Sequence, residues 1–104
     1  MILTITTHVE KSIQETWLTW MKKTFIPAMM ATNTFTEALM TQIEAVEDKE
    51  GFTYSVQYKI KNEEALQKYE QEYAHQIGML LLAFGEKALS FSTKMKVIHQ
   101  HENE

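Results

Sequence analysis

The clearest pattern in the chain is a strict alternation of apolar and polar residues between positions 51 and 61. One alternate set is apolar and contains Phe52, Tyr54, Val56, Tyr58 and Ile60. The other set is polar and contains Thr53, Ser55, Gln57, Lys59 and Lys61. Period-two alternation carried by aromatic and β-branched residues is typical of a strand with one face in a core. We therefore predict a central strand here, on which the rest of the chain packs.

Three further stretches have strand character. Residues 2–9 alternate, with Leu3, Ile5, Thr7 and Val9 on the side predicted to face the core. Residues 35–47 have a blurred pattern, which favours a strand that is apolar on both faces or carries a bulge. Residues 48–51 are predicted to form a hairpin turn, with Gly51 at a position that needs positive φ. The last strand is predicted over residues 88–98, and the residues expected to face the core are Leu89, Phe91, Met95 and Val97.

The first helix is predicted between the first two strands. Ser12 and Glu15 have the spacing of a capping box at its start. Pro27 has no amide hydrogen, so the helix should end or restart near Phe25, and Asn33 should take the left-handed conformation that closes a short extra turn. Its apolar stripe, at helical spacing, contains Ile13, Trp17, Trp20, Met21 and Phe25.

The second helix is predicted between the last two strands. Asn62 is expected to cap its start and Gly85 to end it. Its inner stripe contains Leu66, Tyr69, Tyr73, Ile77, Leu80 and Phe84. On the opposite side of this helix, His75, Met79 and Leu82 are predicted to form a modest outward patch.

The order of elements predicts an α+β fold of the ferredoxin-like β-α-β-β-α-β type. Right-handed connections give a four-stranded antiparallel sheet in the order 4-1-3-2, with both helices on one face. We predict a single domain over residues 1–98, followed by a polar C-terminal tail at residues 99–104.

Composition narrows the range of partners. The chain has 104 residues, with 10 basic and 14 acidic side chains and a net charge of -4, so a nucleic-acid partner is not predicted. It contains no cysteine, which excludes disulfides and thiolate chemistry. The first residues lack the pattern of a signal peptide, and no apolar run is long enough to span a bilayer. The prediction is therefore a cytoplasmic protein with no membrane partner.

The face of the sheet without helices is predicted to be lined by hydroxyl-bearing side chains. More Lys and Glu would be expected at its centre if it faced water. We therefore predict a homodimer in which two such faces enclose a partly polar cavity; a plain solvated face is the alternative. The residues predicted to bind a small-molecule ligand there are Thr4, Thr6, His8, Thr53, Ser55, Gln57, Ser90 and Ser92.

Several motifs resemble those of a family of short bacterial proteins described only as a domain of unknown function. The most specific are W-x-x-W-M at residues 17–21, I-P at residues 26–27 and T-Y-S-V-Q-Y at residues 53–58. Two others are A-T-N-T-F at residues 31–35 and F-G-E-K at residues 84–87. More distantly, the pattern is similar to the dimeric α/β-barrel superfamily, which includes cofactor-independent monooxygenases and haem-degrading enzymes. The resemblance implies a fold and a dimer, but it transfers no catalytic residue.

Candidate chemistry centres on His8, which can act as an acid, a base or a hydrogen-bond donor near neutral pH. A histidine bonded only to backbone or water is the alternative for His8. His99 and His101 are a possible metal pair, but no third ligand accompanies them, so no metal site is predicted. A haem site needs an axial ligand, and although His75 is the only helical histidine, its surroundings favour a contact patch. Trp17 and Trp20 are predicted core residues, and no cofactor is predicted.

Three functions fit the sequence. The leading prediction is a small homodimer that binds a small molecule between its facing sheets. The second is a cofactor-independent enzyme, such as a monooxygenase or isomerase, that uses His8 with Thr6, Ser55 or Gln57. The third is an interaction module whose sheet face contacts a different protein.

Overall fold

A computed structural model describes residues 1–44 and 51–103. Its four strands are β1 (Ile2–Glu10), β2 (Phe35–Ile43), β3 (Gly51–Ile60) and β4 (Ala88–Met95). All neighbouring strands are antiparallel, and the sheet order is β2-β3-β1-β4. This is the predicted order read from the other edge, so the predicted sheet and its ferredoxin-like topology are confirmed.

The helices cover one face of the sheet, and the core lies between the two layers. The apolar alternates of β3 are buried there, because Tyr54, Val56 and Tyr58 are each at most 4% exposed. Trp17 packs on Tyr54 with ring centroids 5.0 Å apart. The prediction that β3 is central and packed on one face is confirmed.

The first helical segment begins later than predicted. A 3₁₀ turn at Lys11–Ile13 follows β1 directly, and α1 spans Gln14–Trp20. Ile13 occupies the cap position of α1, and no side chain hydrogen bonds there. The predicted capping box is therefore wrong. Because β1 extends to Glu10, Ser12 lies inside the connecting 3₁₀ turn and not at the start of α1.

The segment continues past α1 through a π-helical turn, Met21–Phe25, into α2 (Ile26–Ala31). The amide of Ile26 donates to the carbonyl of Met21, five residues back. Pro27 then lies in the first turn of α2, where a missing amide hydrogen matters least. The predicted restart near Phe25 is confirmed, and Asn33 has the predicted positive φ, 59°.

A bulge near the start of β2 explains its blurred pattern. The register against β3 shifts between Phe35 and Glu37. Phe35 therefore points into the core, where it contacts the rings of Tyr58 and Tyr69. Beyond the bulge, Ala38 and Met40 share the helix-covered face with Tyr58 and Val56.

The second helical segment is divided into α3 (Glu63–Glu72) and α4 (Ala74–Leu80), with Tyr73 at the break. The amide of Ala65 donates to Asn62 Oδ1 at 2.8 Å, which confirms the predicted cap. Gly85 has the predicted left-handed conformation, with a φ of 57°. However, α4 ends at Leu80 and a turn follows it, so the prediction that Gly85 ends this helix is wrong. A 3₁₀ turn at Gly85–Lys87 then enters β4.

Gly51 is required for a different reason from the one predicted. Its φ is not positive; instead, a Cβ at this position would lie 2.2 Å from the carbonyl oxygen of Val9 on the paired strand. The close approach of two backbones, and not a left-handed turn, therefore excludes a side chain. The rest of the predicted hairpin turn lies outside the described residues.

Candidate functional site

The open face of the sheet, which the helices leave uncovered, carries most of the predicted site. Antiparallel pairing of β1 with β3 places Thr4 opposite Gln57, Thr6 opposite Ser55 and His8 opposite Thr53. Directly opposite residues of an antiparallel pair point to the same face. The structure thus brings these six predicted residues together in a double row along the two central strands.

Ser90 and Ser92 do not join this row. Ser90 pairs with Thr7 and Ser92 with Ile5, so both serines point toward the helices. The hydroxyls of Thr7 and Ser90 lie 2.6 Å apart. The prediction that Ser90 and Ser92 line the open face is therefore wrong, and so is the predicted core orientation of the alternate residues of β4.

The other alternate set of β4 supplies apolar side chains to the open face. Leu89 is opposite His8 and Phe91 is opposite Thr6, and they are 62% and 64% exposed. Leu39 and Ile43 lie on the same face of β2, opposite Gln57 and Thr53, and are also exposed. We call these four residues the apolar rim. The open face thus has a hydroxyl-rich centre flanked by the apolar rim at both edges.

His8 lies at one end of the double row and is half-buried. Its Nδ1 is 3.2 Å from Thr53 Oγ1, which orients the ring. Together with Leu89 it borders a wide surface depression whose other lining residues are Glu10, Lys11, Ser12 and Glu86. An imidazole held by a hydroxyl and open to a depression has the geometry of an acid–base group or a hydrogen-bonding ligand contact.

The opposite end of the open face is partly covered by the chain itself. After β4, residues 96–103 have no regular secondary structure, and Val97 and Gln100 lie beside Leu39 and Gln57. They enclose a cavity of about 230 Å³, whose remaining lining residues are Met1, Ile2, Glu37 and Lys59. Thr4 is buried at this end, and its hydroxyl donates to the sulfur of Met95 at 3.9 Å. Of the six residues in the double row, Thr4 is buried, Gln57 is exposed beside the tail, and Thr6, His8, Thr53 and Ser55 are half-buried in the part that the tail leaves open.

A second cavity, of about 290 Å³, lies on the helix side and was missed by sequence analysis. It opens between β4 and the α3–α4 segment. Ser92 and Lys94 border it, and the ammonium of Lys94 pairs with Glu70 at 3.1 Å. The register of β4 places Ser92 and Lys94 on the helix side. The sequence analysis assigned them to the open face, so it could not predict a cavity that they border.

The other candidate residues do not form a site. His99 and His101 are exposed in the tail, with ring centroids 6.0 Å apart. In the described part of the chain, no three His, Asp or Glu side chains are grouped closely enough to hold a metal ion. Trp17 is buried, and Trp20 packs between Phe25 and Phe84, as predicted for core residues.

The outward patch on the second helical segment is confirmed. His75 is exposed on α4. Met79 and Leu82 are 59% and 66% exposed. The residues through which α4 borders the helix-side cavity are different ones, namely Ala74, Ile77 and Gly78.

The sheet order and the helix layer define a ferredoxin-like fold. A dimeric ferredoxin-like protein from an uncultured marine organism superimposes with a TM-score of 0.71 at 12% identity, over 96% of each chain. The chain belongs to the family described as domain of unknown function DUF4286, whose model matches residues 1–98. This confirms the resemblance found in the sequence. No curated protein matches the chain.

Two further solved structures share the fold. A dimeric ferredoxin-like protein of unknown function from Thermobifida fusca gives a TM-score of 0.51 at 13% identity, over 90% of each chain. A putative antibiotic biosynthesis monooxygenase from Bacillus cereus gives 0.57 at 14% identity, over 96% of each chain. Identities this low establish the fold alone. Within residues 1–44 and 51–103, no helix has the length and apolar character needed to cross a membrane.

Proposed function

We propose that the protein is a homodimer in which two open faces pack against each other and enclose a binding site for a small molecule. The observation that carries this proposal is the apolar rim. Leu39, Leu89 and Phe91 are each more than half exposed on a sheet face that has no helix of its own. Several large apolar residues exposed on one face are typical of an interaction surface.

The size of the open face is consistent with a stable dimer. Strands about 4.8 Å apart and nine residues long give four strands a footprint of roughly 600 Å² in projection. The corrugated accessible area is larger than the projection. Together with exposed tail side chains such as Val97, which lie over one end of the face, it approaches the roughly 800 Å² per partner of a standard interface. Two solved proteins of this fold are described as dimeric. A second copy of the chain is therefore the occupant that fits this face.

The centre of the proposed interface suits a small polar ligand. Thr6, Thr53 and Ser55 offer hydroxyls that donate and accept hydrogen bonds, and none of them is charged. Since paired hydroxyls across a dimer leave room for water or a ligand, the site would lie on or beside the two-fold axis. His8 would supply the one titratable group in this row of residues. The cytoplasm remains the proposed location.

The dimer is tested by light scattering after size-exclusion chromatography at micromolar concentration. We expect the wild type at twice the monomer mass and Phe91→Lys at the monomer mass, because a charge would be buried at the rim. Leu82→Lys is the matched control, since Leu82 is equally exposed but lies on the helix side. A monomeric wild type, or a dimer broken only by Leu82→Lys, would contradict the proposal and favour an interaction module.

The binding site is tested by ligand-dependent melting shifts against a panel of small polar compounds. We expect compounds that stabilise the wild type to lose their effect in Thr53→Val, which keeps the side-chain shape but removes the hydroxyl beside His8. Ser90→Ala, on the helix side, is the control and should retain the response. Equal responses in both variants would exclude the centre of the open face as the site.

The second candidate function is a cofactor-independent enzyme that uses His8. It is favoured by the contact of His8 Nδ1 with Thr53, which fixes the ring for proton transfer. The fold is shared with a putative antibiotic biosynthesis monooxygenase. If a stabilising compound is also consumed, His8→Ala should abolish turnover at an unchanged melting temperature. Turnover that survives His8→Ala would remove His8 from the catalytic role.

A further inference from the structure

The register of β4 puts small and polar side chains at the exposed edge of the helix-covered face. Ser92 lies opposite Ile5 and Lys94 opposite Leu3, on the face that the helices cover. The apolar alternates of β4 point away from this layer. The space beside Leu3 and Ile5 is consequently not filled from β4.

The facing helix does not fill the space either. Ala74 and Gly78 of α4 border it, and these two residues have little or no side chain with which to fill it. The result is the helix-side cavity of about 290 Å³. Because protein interiors otherwise pack densely, an opening of this size between a sheet and its helices is a candidate ligand site.

The lining of the helix-side cavity divides into an apolar body and a polar end. The apolar residues are Leu3, Ile5, Leu66, Ile77 and Leu81. At the polar end are the hydroxyl of Ser92 and the ion pair of Lys94 with Glu70. Both charged side chains are at least half exposed, so their pairing contributes little and a ligand can replace one partner.

The arrangement of donors at the polar end favours a carboxylate. Lys94 offers three donors and no acceptor, and the Ser92 hydroxyl, on the same strand face, can donate or accept. A ligand carboxylate can accept from both of these neighbouring side chains, whereas a ligand ammonium would need Glu70 on the facing helix and the Ser92 oxygen as acceptors. A volume of about 290 Å³ corresponds to roughly ten heavy atoms, if each takes about the 30 Å³ of a liquid water.

We propose that the helix-side cavity binds a small amphiphilic carboxylate, with its apolar chain against Ile5, Ile77 and Leu81 and its carboxylate on Lys94. This site lies on the opposite side of the sheet from the open face. The proposal of this cavity as a binding site therefore does not depend on the proposed dimer or on the site at His8.

The test uses octanoate as the probe, with 1-octanol and octylamine as matched chains that lack the carboxylate. Binding is followed by methyl NMR shifts of Ile5, Ile77 and Leu81 on the full chain. We expect saturable shifts with octanoate and weaker binding of octylamine. Lys94→Met should weaken octanoate about tenfold and leave 1-octanol unchanged, as removal of a charged partner predicts. Lys68→Met, on the exposed side of α3, is the control and should bind like the wild type.

A second variant tests the location. Ser92→Leu fills the cavity and should abolish octanoate binding at an unchanged or higher melting temperature, whereas Thr93→Leu, on the open face, should retain binding. The proposal is overturned if the methyl shifts do not saturate, if octylamine binds as well as octanoate, or if Lys94→Met and Lys68→Met behave alike. If Ser92→Leu does not fold, the comparison of Lys94→Met with Lys68→Met decides alone.

Discussion

Tyr58 is fully buried at the centre of the sheet, and within the described residues its hydroxyl has no hydrogen-bond partner. Burial, and secondarily the nearby Tyr69, raises the pKa of Tyr58 well above its usual range. A buried hydroxyl without a partner costs free energy, because its hydrogen bonds to water are lost and not replaced. The ring packs against Phe35, with ring centroids 5.3 Å apart, and a phenylalanine ring at this position would keep that contact.

Replacing Tyr58 by Phe should therefore raise the free energy of unfolding by about 1 kcal/mol. Tyr54→Phe is the matched control on the same strand, because it removes the acceptor of a 2.6 Å hydrogen bond from Gln14 and should not stabilise. Urea unfolding of the three proteins measures the difference. A Tyr58→Phe variant less stable than the wild type would show that the hydroxyl has a partner after all.

Alkaline pH should destabilise the protein through the same tyrosines. Burial also raises the pKa of Tyr69, so the folded state holds both phenols neutral at a pH where the unfolded chain ionises them. The resulting stability is fully present below the unfolded pKa of about 10 and is lost as the pH rises toward the folded values. Unfolding free energies at about pH 9 and about pH 11 should differ less in Tyr58→Phe than in the wild type. An equal difference in both proteins would rule out Tyr58 as a cause.

At the scale of single elements, the sequence predicted strand β3 and both helical segments but not the orientation of β4. Alternation has the same period in both registers, and a shift of one residue exchanges the faces. We assigned Leu89 and Phe91 to the core because large apolar residues are usually buried. The assignment failed because the sheet has apolar residues on both faces, which no local pattern in β4 can indicate.

The register of β4 can be tested through Thr7 and Ser90. Their hydroxyls are 2.6 Å apart on the helix-covered face, whereas the orientation expected from sequence would separate them by the thickness of the sheet. A double-mutant cycle with Thr7→Val and Ser90→Ala should give a coupling free energy of about 1 kcal/mol. Thr6→Val with Ser90→Ala is the control pair, on opposite faces, and should give none. Coupling only in the control pair would restore the predicted register.

At the scale of the whole molecule, sheet order and helix placement followed from the sequence of elements, because chain connectivity permits few arrangements. The candidate site was only partly predictable. Thr6, His8, Thr53 and Ser55 lie together because they occupy adjacent central strands whose alternation is unambiguous. The tail beside Gln57 and the helix-side cavity depend on contacts between distant segments, which residue patterns do not encode.

If the open face is a dimer interface, its apolar rim contributes to the stability of every chain and not only to association. Unfolding of a native dimer to two chains is then concentration-dependent, and each tenfold rise in protein concentration adds about 1.4 kcal/mol per mole of dimer. For two chains of this length, we expect the melting temperature to rise by about 3 °C per tenfold increase. Calorimetry over a hundredfold range of concentration measures this slope.

Measuring how the melting temperatures of two variants depend on protein concentration shows which surface causes the dependence. Phe91→Lys should melt at a temperature independent of concentration, because a lysine at the rim cannot be buried against a second copy without losing its hydration. Leu82→Lys should keep the wild-type slope, since its side chain projects from the helix layer. A wild type whose melting temperature stays constant with concentration would mean that the open face contributes nothing by self-association. The exposed Leu39, Leu89 and Phe91 would then need a partner of another kind.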